Sequence, residues 1–166
     1  MEKIILLEDL ENAENKTLYM TFDEKIEGLD CVTPIKAELC AKSLGDFVQV
    51  CGHVNGKILL ECDLCLEKFE YELDFDIDEV YSKHSLLGDY EESGQEFELK
   101  DGQFVTDLNG ENEIDIYDLL YQSVILDLPN KKVCGINCKG RDFLSEEISA
   151  DPRLEVFKNI QINPKK

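Results

Sequence analysis

From Phe69 to Asp78 the chain alternates without a break, with Phe69, Tyr71, Leu73, Phe75 and Ile77 set against Glu70, Glu72, Asp74, Asp76 and Asp78. Successive side chains of a β-strand point to opposite faces. Period two therefore puts every apolar residue of the run on one side and every carboxylate on the other. A helix would scatter both sets around its circumference. The run predicts a long strand with a core face and an acidic solvent face, and the remaining sequence must supply a sheet for it to join. Paired carboxylates are not in themselves an acid/base site, and a row of them on a solvated strand is ordinarily plain surface. As a partner surface, Glu70, Glu72, Asp74, Asp76 and Asp78 would suit something basic.

The strands that could form that sheet lie upstream. Residues 2–7 predict a short strand, and Glu8–Lys16 is a polar loop or helical turn. Thr17–Lys25 spaces Leu18, Met20 and Phe22 by two, and Ile35–Leu44 alternates Ile35, Ala37, Leu39 and Ala41 with polar residues. Phe47–Val54 and Lys57–Glu61 flank Asn55-Gly56, whose tolerance of positive φ predicts a hairpin turn between them. Beyond Ser82 the pattern dissolves into an acidic, flexible loop near residues 84–102, with a short strand expected at Gln103–Thr106. Asp115 can cap a helix over Ile116–Leu128 that carries Ile116, Leu119, Leu120, Val124 and Leu128 near one stripe, and Pro129 ends it. A second short helix is expected after Asp151-Pro152, with Leu154, Phe157 and Ile160 as its apolar side. The expected fold is α+β: mainly an antiparallel sheet or partial barrel, with a C-terminal helix packed on it, in a single domain over residues 1–166.

Two cysteine pairs carry the chemistry. Cys62 and Cys65 form a C-x-x-C where a predicted strand ends, and Cys134 and Cys138 form a C-x-x-x-C after the predicted helix. Two thiolates on one tight turn can grip a metal ion from the same side. Two such turns brought together make the tetrahedral S4 set that zinc prefers. The roughly seventy residues between the pairs far exceed the spacing of about fifteen to twenty in a compact zinc ribbon, so the site would staple distant parts of one domain. Cys31, Cys40 and Cys51 lack partner spacing and read as small apolar fillers or half-exposed strand residues. His53 is a further candidate ligand, and His84 heads the acidic loop.

The formal charge of -20 is unevenly spread. Residues 1–128 hold 9 Lys/Arg against 32 Asp/Glu, whereas residues 129–166 hold 8 against 5. The body should repel nucleic acid, and only the C-terminal part, through Lys131, Lys132, Lys139, Arg141 and Arg153, could approach phosphates. Those cations could equally offset the negative charge of a tetrathiolate metal site, and Asp151 with Arg153 could form a local cap and ion pair. Nothing approaches the roughly eighteen apolar residues of a membrane span, and the N-terminal run is too short for a signal peptide. Seven cysteines without an export signal imply a reducing cytoplasm. A thiol-redox enzyme would need its first cysteine at a helix N-terminus, but this C-x-x-C interrupts strand-like sequence with no βαβ alternation around it. No G-x-x-x-x-G-K-[ST], G-x-S-x-G or H-E-x-x-H motif occurs.

Three blocks stand in a telling order: LLECDLCLEKFEYELDFDIDEVY, then EIDIYDLLYQSVILDLPNKKVCGINCKG, then DPRLEVFKNI. Together they resemble the YceD-like family of large ribosomal RNA accumulation proteins, over most of residues 45–160. The resemblance implies a bacterial or organellar cytoplasmic protein that is not an enzyme and that sustains normal levels of large-subunit ribosomal RNA. Genes of the family commonly neighbour that of a small, basic large-subunit ribosomal protein. The expected partners are therefore that kind of protein, the RNA itself, or both, with no membrane. The chain departs from the fullest family pattern after Gly140, where no further cysteine follows, which leaves four motif cysteines for one zinc. The competing reading is a zinc-stapled protein-interaction module unrelated to the ribosome.

Overall fold

A computed structural model of the protein describes residues 3–84 and 104–140. The second short helix expected after Asp151-Pro152, Arg141, Arg153 and nearly all of the acidic loop lie outside the described residues.

Five strands form one sheet in the order β2 (Thr17–Glu24), β3 (Ile35–Leu44), β4 (Phe47–Glu61), β5 (Lys68–Ser82), β6 (Val105–Asp107). The first three pairings are antiparallel, and β6 adds to the end of β5 in parallel. The sheet stays open and does not close into a barrel. A two-stranded ribbon of β1 (Ile4–Leu6) and β7 (Glu113–Asp115) lies apart from it in the ladder pattern. The helices are α1 (Leu7–Asn12) and α2 (Ile116–Asp127). The Asp115 carboxylate accepts from the backbone N–H groups of Tyr117 and Asp118, filling the N-cap role expected of it.

One corrected expectation changes how the sheet is built. Asn55-Gly56 is not a turn. Strand β4 runs straight through it, and Asn55 and Gly56 pair with Asp74 and Leu73 of β5. The hairpin between β3 and β4 turns instead at Gly45-Asp46, where Gly45 has φ 78 and Leu44 pairs with Phe47. A Gly with positive φ at the first central position suits the type II′ turn. The glycines inside β4 have another cause. A Cβ on Gly52 would sit 2.2 Å from the Glu38 carbonyl oxygen, and one on Gly56 would sit 2.8 Å from Ile35 Cδ1. They permit close strand approach rather than reversal.

The core lies on one face of the sheet. Ile35, Ala37, Leu39 and Ala41 of β3, Val48, Val50, Val54 and Ile58 of β4, and Leu73 and Ile77 of β5 are buried there. Ile5, Leu10, Ile114, Ile116, Leu120 and Val124 from the ribbon and both helices belong to the same cluster. The opposite face carries the acidic ladder. Glu70, Glu72, Asp74 and Asp76 are exposed and Asp78 is half-buried. At the far end of the sheet Glu11 of α1 accepts from Lys16, Ser43 and Lys83, fastening the helix to β3 and to the residue after β5.

Candidate metal centre

The long hairpin of β4 and β5 closes at Glu61 against Lys68, so Cys62–Glu67 is its loop. Cys62 N–H donates to the Glu67 carbonyl at 3.0 Å and Leu66 N–H to the Cys62 carbonyl at 2.9 Å. Leu66 turns the chain with φ 64. The C-x-x-C is thus a hairpin knuckle, not a helix N-terminus. The second pair follows α2, where Leu128 leaves the helix and Pro129 has no N–H with which to continue it. A short turn, Cys138 N–H to the Gly135 carbonyl at 3.1 Å, folds Cys138 back toward Cys134.

Asp63 clasps the two loops together. Its N–H donates to the Lys132 carbonyl at 2.8 Å, and its carboxylate accepts from Lys132 N–H at 2.7 Å. Sequence reading passed over this residue, because an acid inside a C-x-x-C has no distinctive signature until the partner loop is in place.

The clasp brings all four sulfurs of Cys62, Cys65, Cys134 and Cys138 within 4.8 Å of one another. Cys62 faces Cys138 and Cys65 faces Cys134, each at 3.7 Å between sulfurs. These distances are far beyond the ~2.05 Å of a disulfide. With metal–sulfur bonds of about 2.3 Å, a tetrahedral S4 set has sulfur–sulfur edges of roughly 3.8 Å, so these four residues could hold one metal ion. Among the described residues no other group of three or more potential ligands meets the same test.

The electrostatics are those of ligands crowded around one point. The Cys134 backbone N–H lies 3.4 Å from the Cys62 sulfur. That donor first, then the Cys65 backbone, lowers the Cys62 thiol to about 6. Neighbouring sulfurs, Cys138 foremost, push Cys134 up to about 12. One thiolate forms readily, and Cys65 and Cys134 resist joining it without a cation between them. Burial works against this order, since Cys62 is buried and Cys134 exposed, so the hydrogen bonds to the Cys62 sulfur outweigh its desolvation.

Other anticipated residues fall elsewhere. Lys131 and Lys139 are exposed and Lys132 half-buried, all beside the second knuckle. His53 is no ligand of the cluster. It sits on the acidic sheet face, with Nδ1 2.9 Å from Asp76 and Nε2 3.2 Å from Asp74. The Asp76 bond, helped by the charge of Asp74, raises its pKa. Lys57 meets Glu72 at 2.7 Å on that face. Cys40 and Cys51 face each other across β3 and β4, and Cys31 bridges to Ile58.

An open, mostly antiparallel sheet, backed by helices and carrying a two-loop cysteine cluster at the tip of its longest hairpin, defines a sheet-based protein with a clasped hairpin. It is not a small finger. The family model described as large ribosomal RNA subunit accumulation protein YceD matches residues 50–161, and the chain belongs to that family. Searches of curated proteins and of solved structures gave no significant match. Among the described residues no helix is long and apolar enough to cross a membrane.

Proposed function

We propose that the chain is a single-domain, non-catalytic cytoplasmic factor in assembly of the large ribosomal subunit, supporting accumulation of the subunit's RNA by holding a basic ribosomal protein. In this reading one zinc ion bound by Cys62, Cys65, Cys134 and Cys138 fixes the two loops at the tip of the hairpin. When bound, the ion supplies structural cross-linking and neutralises thiolate charge.

The observation that carries the proposal is the placement of charge within the family-matched region. Glu70, Glu72, Asp74 and Asp76 are exposed on one sheet face, with Asp78 half-buried beside them. Such a face attracts a basic protein and repels RNA. A second mechanism draws on the loop lysines: Lys131, Lys132 and Lys139, with Arg141 and Arg153, could contact ribosomal RNA directly. Four thiolates and a Zn²⁺ carry about -2 together, so the same lysines have a local charge to offset. The protein's net charge of -20 favours the first mechanism. A basic patch would have to overcome that repulsion within a Debye length of about 8 Å.

The test is affinity purification from cells with and without RNase. Recovery of a basic large-subunit ribosomal protein after RNase supports the holding mechanism, whereas RNase-sensitive recovery of large-subunit RNA supports direct contact. If neither ribosomal component is recovered at low salt, the assembly reading fails and an interaction module unrelated to the ribosome takes its place.

A further inference from the structure

Strand β5 is 15 residues long, but only Val80, Tyr81 and Ser82 have a strand on their second side, from β6. Among the described residues, Phe69–Ile77 pairs with β4 alone. That stretch leaves a row of outward-pointing backbone N–H and C=O groups, the template an extended peptide needs to add a strand. Its two faces differ sharply. Glu70, Glu72, Asp74 and Asp76 are exposed on one, while Phe69, Tyr71 and Phe75 are half-buried on the other.

We infer that the open edge of β5 over Phe69–Ile77 is a strand-addition site for an extended protein segment in which Lys or Arg alternates with apolar residues. The inference rests on the holding mechanism proposed above and specifies how the basic partner is gripped. Residues two apart on a strand lie about 6.8 Å from each other, so alternate cations on an added strand meet the carboxylates one for one. The intervening apolar side chains would then pack beside Phe69, Tyr71 and Phe75. Lys57 offsets Glu72 and also feels the charge of Glu70, and His53 sits between Asp74 and Asp76.

Charge selects the occupant. A second copy of the chain would bring its own acidic ladder against this one, a like-charge pairing that disfavours self-addition. Residues 85–103 hold six Asp/Glu against one Lys, so they meet the same repulsion. The other sheet edge, β2, presents Thr17, Tyr19, Thr21 and Asp23 on the corresponding face and has no such ladder to choose a partner.

The test uses the full chain and three peptides of equal charge, each matching the length of Phe69–Ile77. The first alternates Lys and Val, the second has the same residues in two blocks, and the third is the alternating sequence with every backbone nitrogen methylated. The alternating peptide should bind, and the other two should bind at least about tenfold more weakly, because register or backbone donors are lost. On binding, alternate amides within Phe69–Ile77 should become slower to exchange with solvent. Equal binding of all three peptides would overturn strand addition while leaving charge-driven holding intact. No binding by any of them would overturn it as well, and recovery of a basic ribosomal protein after RNase would then show that only the mode of grip was wrong. Full protection of alternating amides in the peptide-free protein would also overturn it. Light scattering would then assign the cover to a second copy if the mass doubles and to a segment of the same chain, 85–103 or 141–166, if it does not.

Discussion

Asp63 holds the sulfur cluster in register through two hydrogen bonds to a single residue of the other loop, Lys132. Groups that orient metal ligands commonly contribute a factor of 10–100 to affinity. Asp63→Ala should therefore weaken zinc binding by about tenfold or more, measured by competition with a chromophoric chelator, with stoichiometry preserved. Cys62→Ala should abolish the site, and Cys31→Ala should leave it intact. An equal loss in the two cysteine variants would remove the cluster as the ligand set. A second residue-scale effect concerns Glu11. Lys16 first, then Lys83 and Ser43, lower its pKa from 4.5 to about 2. The folded state thus holds the carboxylate ionised more firmly than the unfolded chain does. The resulting stability is fully present above the unfolded value and is lost as pH falls through the folded one. The stability gap between the natural protein and Glu11→Gln, read by urea unfolding, should shrink as pH drops from above 4.5 toward 2. A gap that stays constant over that window would show that Glu11 contributes by packing rather than by charge.

Among the elements, β4 is where a single added methyl should cost most. Alanine at Gly52 would bring its Cβ to 2.2 Å from a backbone oxygen of β3, whereas alanine at Gly56 would first meet the movable Cδ1 of Ile35. Gly52→Ala should destabilise by about 1–3 kcal/mol and Gly56→Ala by less, both measurable by denaturant midpoint. The same two glycines show where the sequence was hard to read. Asn55-Gly56 has the local chemistry of a turn, but β5 offers an unbroken partner from Lys68 to Ser82, and the ladder with β4 outweighs two residues of turn propensity. Gly45-Asp46 is the turn, in the gap between the strands expected at Ile35–Leu44 and Phe47–Val54, although Asn55-Gly56 carried the stronger turn signal. By contrast, the Phe69–Asp78 strand, the Asp115 cap and the buried stripe of α2 were all legible, because each follows from periodicity or capping within a few residues. The continuation of β5 past Asp78 was not: there Glu79 takes an apolar-face position and is half-buried, and Val80 is buried on the other side. The cysteine pairs were visible as pairs. Their convergence depends on the β4–β5 hairpin and α2 ending at the same place, which spacing alone does not encode.

For the molecule as a whole, the question is whether the metal makes the fold or only finishes it. The main core cluster draws on β1–β5, β7 and both helices and contains none of Cys62, Cys65, Cys134 or Cys138. A chain of this length can bury enough apolar surface to fold without a cross-link, unlike a short finger that is unfolded without its zinc. The cluster instead ties residues 129–140, which follow α2, to the loop of the longest hairpin. Among the described residues, one backbone–backbone bond and one bond to the Asp63 carboxylate join Asp63 to Lys132, beside the Cys134 N–H to the Cys62 sulfur. Local opening costs least where buried contacts are fewest. Chelation should therefore leave the far-ultraviolet circular dichroism of the sheet nearly unchanged. Tryptic cleavage at Lys131, Lys132 and Lys139 should quicken several-fold, and added zinc should restore resistance. Collapse of the β-sheet signal on chelation would show that the staple holds the whole fold, and unchanged cleavage would show that the clasp needs no metal. Of the two proposed contact surfaces, this makes the loop lysines metal-dependent and the acidic face of β5 metal-independent. A basic protein held on that face should then be retained by the chelated protein, and its loss on chelation would move the binding site to the cysteine loops.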